Sequence, residues 1–238
     1  SAAGYHVAWF DHRGLGSSSL RPKRGVDYGY ETILNQDYPL VVDAVKKEFP
    51  DQALFFMGHS LGAQLSAIYA AKKRLKIQGL IHVAAGTPYY KNWKGRERLR
   101  LMLASVIFPV FSIAFGYFPG HLLKFAGKQS KTLMLDWART VRSGNYRPKG
   151  TRQSYEKVMI RTEIPILSFT FPRDFFAPPQ AAEHLSLKYG PGSKMTHLHF
   201  PPEKMPHGQI NHFNWVKEAD FLLPSLEKWL NSIHIFSK

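Results

Sequence analysis

Phe55-Phe56-Met57-Gly58-His59-Ser60-Leu61-Gly62 is the stretch whose reading decides the fold. An apolar run stops at Gly58, Ser60 follows two residues later, and Gly62 opens an alanine-rich segment. Leu54–Met57 reads as a buried strand and Ala63–Ala71 as a buried helix. Strand, turn and helix around G-x-S-x-G are the setting in which the serine becomes a nucleophile elbow. The turn is so tight that Ser60 is expected in a strained backbone conformation, with its hydroxyl above the sheet edge. Gly58 and Gly62 are needed where strand and helix pass too close for side chains. The N–H of Leu61 then points where an oxyanion would form. The competing reading is a glycine-rich turn whose serine merely caps the helix.

Working outward, strands and helices alternate. Val7–Phe10 reads as a short strand, ending in the tight loop Asp11–Ser18. There Asp11 and Arg13 are expected to pair with each other or with nearby backbone. Leu34, Tyr38, Val41, Val45 and Phe49 recur at helical spacing and predict a helix over Asp37–Glu48. Gly79–Ala84 is the next apolar strand. Alternation of this kind implies a parallel sheet with right-handed crossovers. After Lys91–Tyr155, a strand over Ile164–Thr170, a helix over Gln180–Tyr189 and a strand over Lys194–Phe200 resume the rhythm. Phe213–Leu223 and Ser225–Ile233 read as helices interrupted at Pro224. We therefore expect a core in two parts, residues 1–90 and 156–238, with a helical lid at 91–155.

The lid segment is distinctive. Lys91 to Lys131 holds eight Lys/Arg against one acid, Glu97. Inside it lies the apolar run Leu101–Phe118, at 18 residues the lower limit for a membrane span. Pro109, Gly116, Ser105 and Ser112 favour two short helices over one span, and a lid that touches a membrane surface is the third reading. Thr132–Arg142 adds an amphipathic helix. The whole chain has 32 Lys+Arg against 17 Asp+Glu, a net +15. No nucleic-acid-binding motif accompanies that charge, so nucleic acid is not an expected partner. Cysteine is absent, which rules out disulfides, thiolate metal sites and a cysteine nucleophile. The opening Ser1-Ala2-Ala3-Gly4-Tyr5 suggests that an N-terminal part is missing. The expected compartment is the cytoplasm.

A serine hydroxyl needs a base in hydrogen-bond reach, and the base needs an orienting carboxylate. In open parallel sheets such groups gather beyond the carboxyl ends of the strands. Asp174 follows the strand Ile164–Thr170 and is bracketed by Phe171, Phe175 and Phe176, which could shield it from water. Its bland reading is a turn-forming Asp before a helix. Glu183, Glu203 and Asp220 read as surface acids. The base lies between His207 and His212; His212, immediately before the final helix, is favoured. His59 reads as a packing residue. His197 and His199 alternate on one strand face without a third ligand, so no metal and no cofactor is expected.

The segments DHRGLGSS (Asp11–Ser18) and GHSLG, Asp174 within RDFFAPP and His212 within NHFNW resemble the α/β-hydrolase superfamily. More narrowly, Tyr117-Phe118-Pro119-Gly120 and Leu135-Asp136-Trp137-Ala138-Arg139 resemble a group of bacterial predicted α/β hydrolases. The resemblance implies an eight-stranded, mostly parallel sheet with helices on both faces, entered here at about the fourth strand. It also implies that the second oxyanion donor lies before Ser1. The expected activity is a serine hydrolase cleaving small-molecule esters of hydrophobic acyl or aryl type. Two alternatives stand beside it. One is acyl transfer or thioester cleavage on the same residues. The other is a non-catalytic membrane-surface protein on the same scaffold, with the basic lid as the contact. Oligomeric state is not legible.

Overall fold

The computed structural model describes residues 4–73, 77–123, 125–151, 153–201, 203 and 210–234. They form two compact units. One takes in residues 1–52, 104–139 and 147–152, the other 53–103, 140–146 and 153–238.

In chain order, residues 5–10 have no regular structure. The strand expected at Val7–Phe10 is therefore not formed. A strand exists only through its ladder, and among the described residues none pairs with this segment; Trp9 is 80% exposed. A helical stretch follows as α1 (Tyr30–Thr32), a π turn (Ile33–Asp37) and α2 (Tyr38–Glu48). It starts about two turns before the expected Asp37 and buries Tyr30, Ile33, Leu34, Tyr38 and Val42. Then come β1 (Phe55–His59), α3 (Leu61–Lys73), β2 (Gly79–Val83) and a 3-10 turn at Tyr90–Asn92. The long α4 (Gly95–Phe115) precedes β3 (Tyr117–Pro119), β4 (Lys128–Ser130), α5 (Lys131–Ser143) and α6 (Tyr155–Met159). Last are β5 (Ile166–Thr170), α7 (Pro179–Ser186), β6 (Met195–His199), a 3-10 helix at Trp215–Leu222 and α8 (Leu223–His234).

Two expectations need correction. The run around Pro109 is not two short helices: α4 carries straight through the proline for 21 residues. A helix-interior proline forfeits one backbone hydrogen bond and crowds the preceding turn. The turn beside it is held by Phe108, whose ring packs against Phe118, Phe125 and Trp137. Near the C-terminus, Pro224 does not interrupt a helix. It occupies the first turn of α8, where the missing N–H has no intrahelical partner to lose.

Within the first unit, the helical stretch is tied to α5 by Asp136. This buried carboxylate accepts the N–H of Tyr30 at 3.1 Å and of Lys149 at 2.7 Å, and Arg139 lies at 3.2 Å. Burial nevertheless pushes its pKa up to about 6. Arg13 pairs with Asp37 instead of Asp11, and Asp11 accepts the N–H of Ser17 at 2.7 Å. β3 and β4 form an antiparallel hairpin.

The second unit is built on a four-stranded, wholly parallel sheet in the order β1-β2-β5-β6. Period-two alternation divides its side chains between two faces. Ile81, Val83, Leu167 and Phe169 join Ile210, Trp215, Leu222, Trp229 and Leu230 in one core cluster. α3 packs on β1 and β2, and α7 on β5 and β6. Each fully buried Leu, Ile or Phe contributes about 1.5–3 kcal/mol. Gly58 marks the closest approach of sheet and helix: a Cβ there would stand 2.4 Å from the backbone nitrogen of Ala63. Backbone cannot swing aside as a side chain can. Gly58→Ala is expected to cost about 1–3 kcal/mol, lowering the melting temperature by about 2–4 °C per kcal/mol. A thermal melt within 1 °C of the parent, in the sense of roughly no shift, would refute the close-approach account.

Candidate active site

The carboxyl ends of the parallel strands bring three distant segments together. β1 ends at His59, and Ser60 turns the chain into α3 with φ +51°. That left-handed conformation is unusual for a residue with a Cβ and is the strain the turn demands. It is pinned by the Ser60 N–H, which donates to the Val83 carbonyl at the end of β2 at 3.2 Å. Leu61 opens α3, and the N–H groups of Ala63 and Gln64 donate to the Ser60 carbonyl at 3.2 and 3.4 Å.

Asp174 stands four residues beyond the end of β5 and is 4% exposed. Its Oδ1 accepts the N–H of Phe176 and of Ala177, each at 2.9 Å. The turn-forming reading of Asp174 is therefore correct as far as it goes, and the same carboxylate also faces His212. The His212 Nδ1 lies 2.9 Å from Oδ1 and 3.0 Å from Oδ2. Facing a carboxylate, Nδ1 carries the proton and donates it, so Nε2 is left as the acceptor. Nε2 lies 3.0 Å from the Ser60 hydroxyl, which donates to it.

Ser60, His212 and Asp174, named from sequence, thus form one continuous hydrogen-bonded chain. His207, the alternative base, lies outside the described residues. Glu183, Glu203 and Asp220 are exposed, as expected. The aromatic bracket around Asp174 is only partly a shield. Phe171 is buried and the Phe176 ring sits 5.1 Å from the His212 ring, but Phe175 faces solvent. What Phe175 supplies is its carbonyl, which accepts the Trp93 indole N–H at 2.9 Å. His199 pairs with Thr170 at 3.0 Å, and among the described residues no cluster of metal-ligating side chains occurs.

A sequence profile described as serine aminopeptidase, S33, matches residues 1–142. The chain belongs to this hydrolase family. No curated protein matches its sequence. Among solved structures it resembles a monoacylglycerol lipase of Paleococcus ferrophilus at 15% identity and TM-score 0.54, covering 94% of this chain and 82% of that one. An esterase of Exiguobacterium antarcticum matches at 15% and 0.53, covering 93% and 80%. A bromoperoxidase of Bacillus anthracis matches at 20% and 0.51, covering 93% and 80%. Likeness at such identities concerns architecture, and the architecture is the α/β-hydrolase fold.

In this S33-family hydrolase one neighbour of the site escaped the sequence reading. His59 is more than packing: its Nε2–H donates to the His212 carbonyl at 2.8 Å, and the two rings lie 4.8 Å apart. Burial lowers the His59 pKa and the adjacent His212 ring lowers it further, which keeps the imidazole neutral and the donor in place. The contact joins residues 153 positions apart. No local pattern announces such a bond.

Proposed function

We propose that the protein is a serine hydrolase acting on carboxylic esters with a hydrophobic acyl or aryl part. The observation that carries this reading is the unbroken Ser60–His212–Asp174 chain at 3.0 and 2.9 Å. In the proposed reaction the Ser60 Oγ attacks the ester carbonyl carbon while His212 Nε2 takes the hydroxyl proton. The carbonyl oxygen gathers negative charge, and the Leu61 N–H is assigned the role of receiving it. His212 returns the proton to the leaving alkoxide as the C–O bond breaks, leaving an acyl-serine. Water, deprotonated by the same imidazole, then releases the acid and restores Ser60. Asp174 holds the imidazole in the required tautomer throughout. The rings of Phe176 and Phe213, 5.1 and 4.7 Å from His212, favour apolar groups over polar ones at the reacting centre. The lipase and esterase among the structural neighbours are compatible with this choice of substrate.

The test is a fluorophosphonate probe on the full chain, alongside a panel of p-nitrophenyl esters and aminoacyl anilides. The expected result is one covalent adduct, mapped to Ser60, with turnover of medium-chain esters. No adduct, an adduct on another residue, or turnover confined to the aminoacyl anilides would overturn the ester reading.

A further inference from the structure

Helix α4 presents an apolar face to water. Leu99, Leu103, Val106, Val110 and Ile113 follow one another at intervals of three and four, so they share one face. All five are exposed to solvent. The opposite face carries Ser105 and Ser112, and these are the residues that are buried. The Ser112 hydroxyl is satisfied within the helix by the Phe108 carbonyl at 2.7 Å. Only 11% of the residues in its apolar 18-residue stretch are buried. Phe108 packs inward beside these serines, so the helix is apolar on both sides, and its contiguous outward aliphatic face departs from the soluble pattern.

The charges say what covers it. Lys94, Arg96, Arg98 and Arg100 cluster at the helix N-terminus and all are exposed. The lone acid among them, Glu97, is engaged by Arg100 at 2.6 Å. Cations in a first helical turn oppose the helix dipole, so their presence does nothing for the helix itself. They do complement an anionic surface met by the same element. A second copy of the chain would bring like charges together, since the whole protein carries +15.

We infer that α4 docks this protein on the surface of an anionic lipid bilayer, its aliphatic face entering the acyl boundary and its N-terminal basic cluster meeting the headgroups. This inference stands apart from the ester reading, because membrane docking needs none of Ser60, His212 or Asp174.

The experiment is co-sedimentation of the full chain with phosphatidylglycerol vesicles and with phosphatidylcholine vesicles, each at low and high salt. Binding is expected to the anionic vesicles, weakened by salt. The double variant Val106→Glu with Val110→Glu is expected to lower the partition coefficient at least tenfold, because charge replaces buried aliphatic surface. Replacing Arg96, Arg98 and Arg100 with Gln is expected to lower it about a hundredfold, roughly fivefold per basic residue. Ser60→Ala is expected to bind vesicles like the parent. Far-ultraviolet circular dichroism checks that the variants remain folded. Three results would overturn the proposal. The first is no binding to anionic vesicles by the parent chain. The second is dimers in sedimentation velocity that the double variant dissolves without any loss of vesicle binding. The third is resistance to alkaline carbonate extraction, which would make α4 a span.

Discussion

Ser60→Ala is expected to lower kcat/KM toward a p-nitrophenyl ester by about 10⁴–10⁶-fold. The size follows from the proposed division of labour. Without Oγ no acyl-enzyme forms, and His212 is left holding a proton acceptor with nothing to activate. What survives is substrate binding and oxyanion stabilisation, which together give about 10³–10⁴ over water. The exchange removes one oxygen, and the Ser60 N–H bond to Val83 at the end of β2 is made by backbone that alanine keeps. Alanine at φ +51° is strained much as serine is. The melting temperature should therefore stay close to that of the parent while the rate collapses. A variant that keeps activity within tenfold would mean that the hydroxyl is not the nucleophile.

Asp174→Asn is expected to cost about 10⁴-fold in kcat. Here the reason is a tautomer. An asparagine amide turned toward His212 presents N–H donors, so Nδ1 must become the acceptor and the ring proton moves to Nε2. An Nε2–H cannot accept the Ser60 proton at 3.0 Å. The same residue also shapes its loop, through the N–H groups of Phe176 and Ala177 that its Oδ1 receives. Asparagine retains a carbonyl oxygen for that purpose, whereas Asp174→Ala loses it. Comparing the two separates the roles: similar rate losses with a lower melting temperature only for alanine. Steady-state kinetics with a soluble ester and a thermal melt are sufficient. If asparagine retained more than a tenth of the parent kcat, Asp174 would not be orienting the base.

Much of this arrangement was legible before any coordinates. The strands β2 and β5 are short, fully buried apolar runs, as a parallel sheet covered on both faces writes itself, whereas the outer strands β1 and β6 are only half-buried, and Met57, read as part of a buried strand, is 51% exposed. Ser60 and Asp174 were legible because each stands just beyond a strand, where a parallel sheet collects its functional loops, and His212, 13 residues past the end of β6, from its place before the final helix. Other features were hidden for physical reasons. An apolar segment such as Val7–Phe10 states that a strand could pair, never that it does. Pro109 signals a break, yet the packing of Phe108 on Phe118 and Trp137 carries α4 past it. The bond from His59 to the His212 carbonyl depends wholly on tertiary contact, as does the burial of Asp136 beside Tyr30.

The distance along the chain between Ser60 and its base has a consequence for the moment of synthesis. The imidazole that faces the hydroxyl lies 152 residues downstream. At about 5–20 residues per second, the serine is polymerised roughly 8–30 s before the histidine. Throughout that interval the nascent polypeptide carries an ordinary alcohol with no partner to sharpen it. On the proposed mechanism, a product of premature termination before His212 would lack the base and leave Ser60 unactivated.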